Sequence, residues 1–256
     1  MSSNNTPYVR PLGRIMGQHF LTSPGIIQKI LTAADLRASD TVLEIGPGAG
    51  VLTLELLRRV KKVIAIEKDP RLVRELQERF VSTKNLRIIE GDVLKIQNKQ
   101  SELKLPRHYK IVANIPYYIT SQILRLFLED IKEKPSLMVL MVQKEVAERI
   151  IATPPDMSLL ALSVQAYGKA RLVARVPKGN FTPPPKVDSA ILKIEAISDA
   201  YFKKYRLPPE IFFETARRAF SQKRKMLRKS LGIETIYGTK RPQELSLEDW
   251  AILHKK

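Results

Sequence analysis

The fold is decided by Thr41–Gly50, TVLEIGPGAG, and the residues that follow it. Thr41–Ile45 is a short apolar strand. Leu52, Leu56, Leu57 and Val60 then recur at helical spacing over Leu52–Val60. The turn between them carries Gly46, Gly48 and Gly50, which let the backbone bend sharply and approach a ligand with no Cβ in the way. GxGxG is neither the GxGxxG of dinucleotide sites nor the GxxxxGK[ST] of phosphate loops. Taken alone, it also fits a tight strand-to-helix turn with no ligand.

Working outward, strands and helices alternate. Residues 24–37 are helical, starting at Ser23-Pro24. Lys62–Ile66, Leu86–Ile89, Lys110–Ala113 and Leu137–Val142 read as strands. Pro70–Phe80, Ser121–Leu128, Lys144–Ile151 and Leu159–Ala166 read as helices, and Ala170–Val176 and Ala190–Ile194 as a late hairpin pair. This predicts an α/β protein with a mostly parallel sheet covered on both faces and an antiparallel edge. Beyond about residue 199 no strand signal returns, and 208–231 and 243–254 are helical. The expected division is a domain over 1–199, with a polar, basic arm at 1–20, and a small helical domain over 200–256.

The chain has 256 residues, 44 Lys+Arg against 26 Asp+Glu, a formal charge of +18 and no cysteine. Disulfides and thiolate zinc sites are excluded. No apolar run approaches the roughly 18 residues of a membrane helix. The first residues, MSSNNTPYVR, lack a signal peptide's apolar core, so a cytoplasmic location is expected. The charge points to a polyanionic partner, nucleic acid before an anionic membrane.

In an open α/β sheet, ligands bind at the carboxyl ends of the strands. The second strand ends in Glu67 and the third in Gly91-Asp92, so Gly46–Gly50, Glu67 and Asp92 should meet at one rim. An acid after strand two can accept both hydroxyls of a ribose, and one after strand three an adenine amino group. The trio suits an adenosine carried without a pyrophosphate. Strand four ends in Asn114-Ile115-Pro116-Tyr117, where Pro116 stiffens the exit. An adenine N6 is a poor nucleophile because its lone pair is delocalised into the ring. Two tetrahedrally placed acceptors, the Asn114 side-chain oxygen and the Ile115 carbonyl, would favour an sp³-like nitrogen whose lone pair points at an electrophilic methyl. Tyr117 would stack on the base. A proline-stiffened turn with a core tyrosine is the alternative.

With these residues in place, the chain resembles the ribosomal RNA adenine dimethyltransferase family, which uses S-adenosylmethionine. Gly17-Gln18-His19-Phe20-Leu21 is similar to its GQNFL signature, Glu44–Gly50 to EIGPGxG, and Asn114–Tyr117 to NLPY. Phe181–Ser189 is similar to FxPPPKVDS, Phe220–Arg228 to FSQRRKTLR, and Glu244–Asp249 to a C-terminal segment. The resemblance implies a Rossmann-like methyltransferase fold. It implies that His19 and Leu21 contact the cofactor at the crevice mouth, Gly46 its methionine end with Gly48 in the same loop, Glu67 its ribose and Asp92 its adenine. Asn114 would lie between cofactor and substrate, and Phe181 would support a flipped base beside Tyr117. His19 departs from the usual Asn; a backbone contact would survive that change. Pro154–Leu160, PPDMSLL, departs from a Tyr-Gly pair and carries no assigned role.

On a helical wheel over 209–231, Arg224 and Arg228 fall within about 20° of Arg217, and Arg218, Lys225 and Lys229 form an adjacent stripe. These cations are expected to contact RNA phosphates, which position a nucleic acid without reading its sequence. A break near Ser221-Gln222 is the alternative, and it would split the helix and redistribute these charges.

The resemblance implies dimethylation of N6 on two adjacent adenosines in the 3′-terminal hairpin loop of small-subunit ribosomal RNA. The expected enzyme is a monomer that uses S-adenosyl-L-methionine and no metal. Two rivals are a large-subunit methyltransferase of the resistance type and an RNA-binding assembly or transcription factor that keeps the fold without catalysis. The PPPKVDS and FSQKRKMLRKSL segments argue against the first, and intact Gly46, Glu67, Asp92 and Asn114 against the second.

Overall fold

A computed structural model describes residues 19–95, 105–232 and 234–254. The N-terminal arm up to residue 18, including Gly17 and Gln18, lies outside them. Successive elements are β1 (Phe20–Leu21), α1 (Pro24–Ala34), β2 (Thr41–Ile45), α2 (Val51–Leu57), β3 (Lys62–Glu67), α3 (Pro70–Arg79), β4 (Leu86–Glu90) and β5 (Lys110–Asn114). After a 3-10 turn, Tyr117–Ile119, come α4 (Thr120–Arg125), running into a π turn over Leu126–Asp130, then β6 (Leu137–Gln143), α5 (Lys144–Ile151), α6 (Leu159–Gln165), β7 (Lys169–Val176), β8 (Phe181–Thr182) and β9 (Ser189–Glu195). Helices α7 (Ala200–Tyr205), α8 (Pro209–Ser221), α9 (Leu227–Leu231) and α10 (Leu247–Ile252) complete the described chain.

The main sheet has seven strands in the order β4-β3-β2-β5-β6-β9-β7. All pairs from β4 to β6 are parallel, and β9 is antiparallel to both β6 and β7. The fold is therefore the expected α/β one, with its antiparallel edge made by the late strand pair. Period-two alternation explains the two cores: Leu43 and Ile45 face one side, Val42 the other. Ile26, Ile30, Leu52 and Leu56 of α1 and α2 cover the Val42 face.

Local signals set the ends of elements. Pro24 and Pro70 open α1 and α3, and Asp69 caps α3 by accepting from Arg71 N at 2.9 Å. Lys110 places its ammonium on the carbonyls of Ala34 and Asp35 at the end of α1 and on Asp40 at 2.8 Å. A cation there complements the helix dipole. In the Pro154–Leu160 stretch, Met157 is buried and Ser158 caps α6 through Ala161 N at 2.9 Å.

The opposite face continues without a break into the C-terminal helices. Phe212, Phe213, Ala216, Leu227, Leu231 and Trp250 belong to the same buried cluster as Ile111 and Leu140. Its aromatic part is tightly joined, with Phe212–Phe213 ring centres 4.9 Å apart and Phe220 stacked on Trp250 at 5.9 Å. A helix over 208–231 is the expectation, with a break near Ser221-Gln222 as its alternative, and the structure has the break. The helix stops at Ser221 and restarts at Leu227. Residues 221–226 are all exposed, so no buried face holds them in register. Met226, the last residue of this gap, is 39% exposed.

Candidate active site

The sheet order reverses between β2 and β5, since β3 and β4 continue to one side and β6 to the other. Such a switch point opens a crevice at the strand ends. Gly46 closes β2 and Asn114 closes β5, and both line one cavity with His19, Leu21, Gly48, Glu67 and Tyr117. Gly46 and Gly48 have φ of +66° and +57°, the left-handed region that side chains rarely adopt. A Cβ on Gly48 would lie 2.9 Å from the Phe20 ring; one on Gly46 would meet only Pro116, at 3.9 Å. The loop is thus packed at Gly48 and leaves room at Gly46.

Glu67 anchors this loop. Its Oε2 accepts from Gly48 N at 3.2 Å, and its Oε1 from Lys68 N at 2.8 Å and Asp69 N at 3.0 Å. Burial pushes its carboxyl above the ordinary range against those donors. A carboxylate offers about four acceptor positions. Three are filled, which leaves room for one more hydroxyl and not for two unless Gly48 gives way.

Glu44 was not singled out by sequence reasoning. It is 1% exposed, lines the same cavity and accepts from Thr53 Oγ1 at 2.7 Å. Burial raises its pKa to about 8, the Thr53 hydroxyl opposing and Glu67 adding to the shift. The available signal was an acid inside an otherwise apolar strand, TVLEI.

At the other wall, Asn114 Nδ2 donates to the His19 main-chain carbonyl at 3.2 Å. The His19 contact to Asn114 is made by the backbone, the kind that survives replacement of Asn by His. Its imidazole Nδ1 donates to Pro183 O at 2.8 Å, and its ring lies over Tyr117 with centres 6.1 Å apart and planes 24° from parallel. Tyr117 is tied through its hydroxyl to Ser189 Oγ at 2.5 Å, and burial raises its phenol pKa. The ladder beneath pairs β1 with β8, Leu21 opposite Phe181 and Phe20 opposite Thr182.

Two expected residues lie outside the cavity lining. Phe181 is 3% exposed and packs in the core with Leu21 and Ile27. Asp92 takes Lys68 Nζ at 2.9 Å and Leu94 N at 3.0 Å, and its carboxyl is held below the ordinary range by those partners despite partial burial.

The expected basic stripe is dispersed by the break in the helix. Arg217, Arg218, Arg224, Lys225 and Arg228 are all exposed. Arg217 lines a groove with Glu129 and Arg206, whereas Arg218 reaches toward Gly232 at the end of α9. Arg224 and Lys225 sit on the exposed turn, and Arg228 lies against Gly238.

A family model described as ribosomal RNA adenine dimethylase matches residues 13–249. The chain belongs to that family. The chain is 47% identical over 253 residues to ribosomal RNA small subunit methyltransferase A of Dehalococcoides mccartyi, across 93% of this chain and 86% of the relative. It is 37% identical to the protein of that name from Synechococcus elongatus, across 94% and 93%. Among solved structures, a dimethyladenosine transferase from Plasmodium falciparum matches with a TM-score of 0.78 and 32% identity, covering 92% of this chain and 96% of that one. The 23S rRNA methyltransferase ErmE matches with a TM-score of 0.70 and 26% identity, covering 92% and 100%. The chain is thus a methyltransferase of ribosomal RNA. Among its described residues, no helix is long and apolar enough to cross a membrane.

Proposed function

We propose that the enzyme transfers methyl groups from S-adenosylmethionine to N6 of two adjacent adenosines in the 3′-terminal hairpin loop of small-subunit ribosomal RNA. It would act as a cytoplasmic monomer on immature small subunits. The observation that carries the chemistry is the arrangement of Asn114: its amide nitrogen is committed to the His19 carbonyl, so its oxygen is the atom left to accept. The small-subunit target is supported by relatives of that name at 37–47% identity.

The cavity fits the cofactor. The open space at Gly46 would take the methionine end, beside the buried acids Glu44 and Glu67, and the remaining acceptor position of Glu67 would take a ribose hydroxyl. His19 and Leu21 would close the mouth. Asp92 would accept the adenine amine once the exposed Lys68 side chain swings away. When bound, S-adenosylmethionine supplies an electrophilic methyl on a sulfonium. Asn114 Oδ1 and the Ile115 carbonyl would hold the substrate amine with its lone pair directed at that methyl. Tyr117, fixed by Ser189, would stack on the adenine, with Phe181 supporting the wall from beneath. Asn114 cannot take up a proton; the alkylated nitrogen is acidic enough to lose one to water. The rate enhancement would come from positioning and from acceptors aimed at developing positive charge. Arg217, Arg218, Arg224, Lys225 and Arg228 would hold RNA phosphates.

The test is methyl transfer to unmethylated small subunits, large subunits and naked RNA, with mapping of the modified base. Transfer confined to two adjacent loop adenosines of small subunits is expected; transfer to large subunits would replace this reading by its rival.

A further inference from the structure

The turn Tyr117–Ile119 is a 3-10 helix, with three residues per turn, so its side chains leave in three directions. Tyr117 enters the cavity and is anchored at Ser189. Ile119 packs against the main core. Tyr118 takes the third direction and is 76% exposed. Among the described residues, no hydrogen bond or ring contact holds it. Isolated exposed apolar residues are ordinary. Tyr118 differs by its place, one residue beyond the ring proposed to face the flipped adenine. It also has a cation nearby: Lys68, with a side chain 71% exposed, is bonded to Asp92 and also feels the Tyr118 phenol.

Flipping one base out of a loop leaves its neighbour without a stacking partner. Proteins that hold single-stranded nucleic acid pair aromatic platforms with cations along the backbone. We infer that Tyr118 is the stacking platform for the unpaired nucleobase adjoining the adenosine held at Tyr117. This positioning role rests on the proposed function and deepens it: the enzyme would recognise a run of two unstacked bases, one in the pocket and one on its rim. Tyr117 and Tyr118 then divide the work, the first by a hydroxyl anchor that fixes its ring and the second by a free ring that meets the substrate from solvent.

The test uses the full chain and unmethylated small subunits, native or reconstituted with uridine at each nucleotide flanking the mapped adenosine. Tyr118→Ala should raise KM for native subunits about tenfold, the effect of losing one stacked base. Its kcat, its S-adenosylmethionine affinity by calorimetry and its melting temperature should stay near those of the unaltered enzyme. Tyr118→Phe should keep a normal KM, because the ring and not the hydroxyl does the stacking. Uridine on one flank should raise KM for the unaltered enzyme and leave that of Tyr118→Ala unchanged. A KM for Tyr118→Ala within twofold of normal would overturn the inference, as would an equal sensitivity of both proteins to the flanking base or a failure of Phe to restore KM. Absence of transfer to small subunits by the unaltered enzyme would instead overturn the proposed function, and the inference with it.

Discussion

Asn114 and His19, 95 residues apart in the chain, are joined by a hydrogen bond from the side-chain amide of one to the main-chain carbonyl of the other, at 3.2 Å. The bond ties the amide's orientation to the main chain at His19. Asn114→Ala should lower kcat by about 100-fold or more, the scale for loss of one aligned group in a preorganised site. RNA affinity should stay within a few-fold. Asn114→Asp should be equally impaired, because an ionised carboxylate cannot donate to the His19 carbonyl. His19→Asn should stay within a few-fold of normal, since the carbonyl remains. Steady-state kinetics beside RNA binding check all three, and near-normal turnover by Asn114→Ala would sink the mechanism.

Glu44 gives a pH test. Its folded pKa is raised to about 8 from an ordinary 4.5, chiefly by burial. A raised pKa means that the fold favours the protonated acid. The associated stability is complete below about pH 4.5 and is lost as pH rises toward 8. Glu44→Gln keeps an acceptor for Thr53 and never ionises. Its melting temperature should therefore gain on that of the unaltered protein as pH rises from 5 to 9. A difference independent of pH would show that the carboxyl does not titrate in this range.

The order of the strands and the meeting of Gly46, Glu67 and Asn114 were legible in the sequence, because strand ends and the switch point follow from the alternation of elements. Glu44 was not, since an acid inside a strand reads as an exposed position until the helix covering it is known. The split at Ser221 was open in the sequence but not decided by it. The wheel over 209–231 has a continuous apolar stripe, but residues 221–226 find nothing to pack against. Phe181 was visible as part of a motif, yet only the pairing of β1 with β8 assigns its ring to the core.

Gly48 joins the loop's strain to its packing. Gly48→Ala would put a side chain at φ +57° and 2.9 Å from the Phe20 ring. The left-handed conformation alone costs about 1–2 kcal/mol. Moving the loop would also loosen the Gly48–Glu67 hydrogen bond. Lower thermal stability and weaker S-adenosylmethionine binding are expected together. Phe20→Leu in the same chain should recover part of the stability, since it relieves the contact but not the backbone strain. A normal melting temperature for Gly48→Ala would mean that the loop is free to adopt another conformation.

The break between α8 and α9 changes which cations should matter for RNA. Burial raises the pKa of the half-buried Glu129, and Arg217, with Arg125, lies near enough to oppose that rise, so part of its charge is already answered within the protein. Arg224 and Lys225 stand on a turn exposed throughout, with Arg228 on the first turn of α9. Each phosphate contact contributes roughly 0.7–0.9 to the slope of log K against log salt. Changing Arg224, Lys225 and Arg228 together to Gln should weaken RNA binding and flatten that slope by about two. Arg217→Gln should change it by less than one contact. Exposed substitutions usually cost within about 0.5 kcal/mol each, so melting temperature and cofactor affinity should hold. Affinity measured at four or five salt concentrations separates the cases. A full-contact loss from Arg217 alone would put the RNA in the groove beside Glu129, and an unchanged slope in the triple variant would remove the turn from the RNA-binding surface.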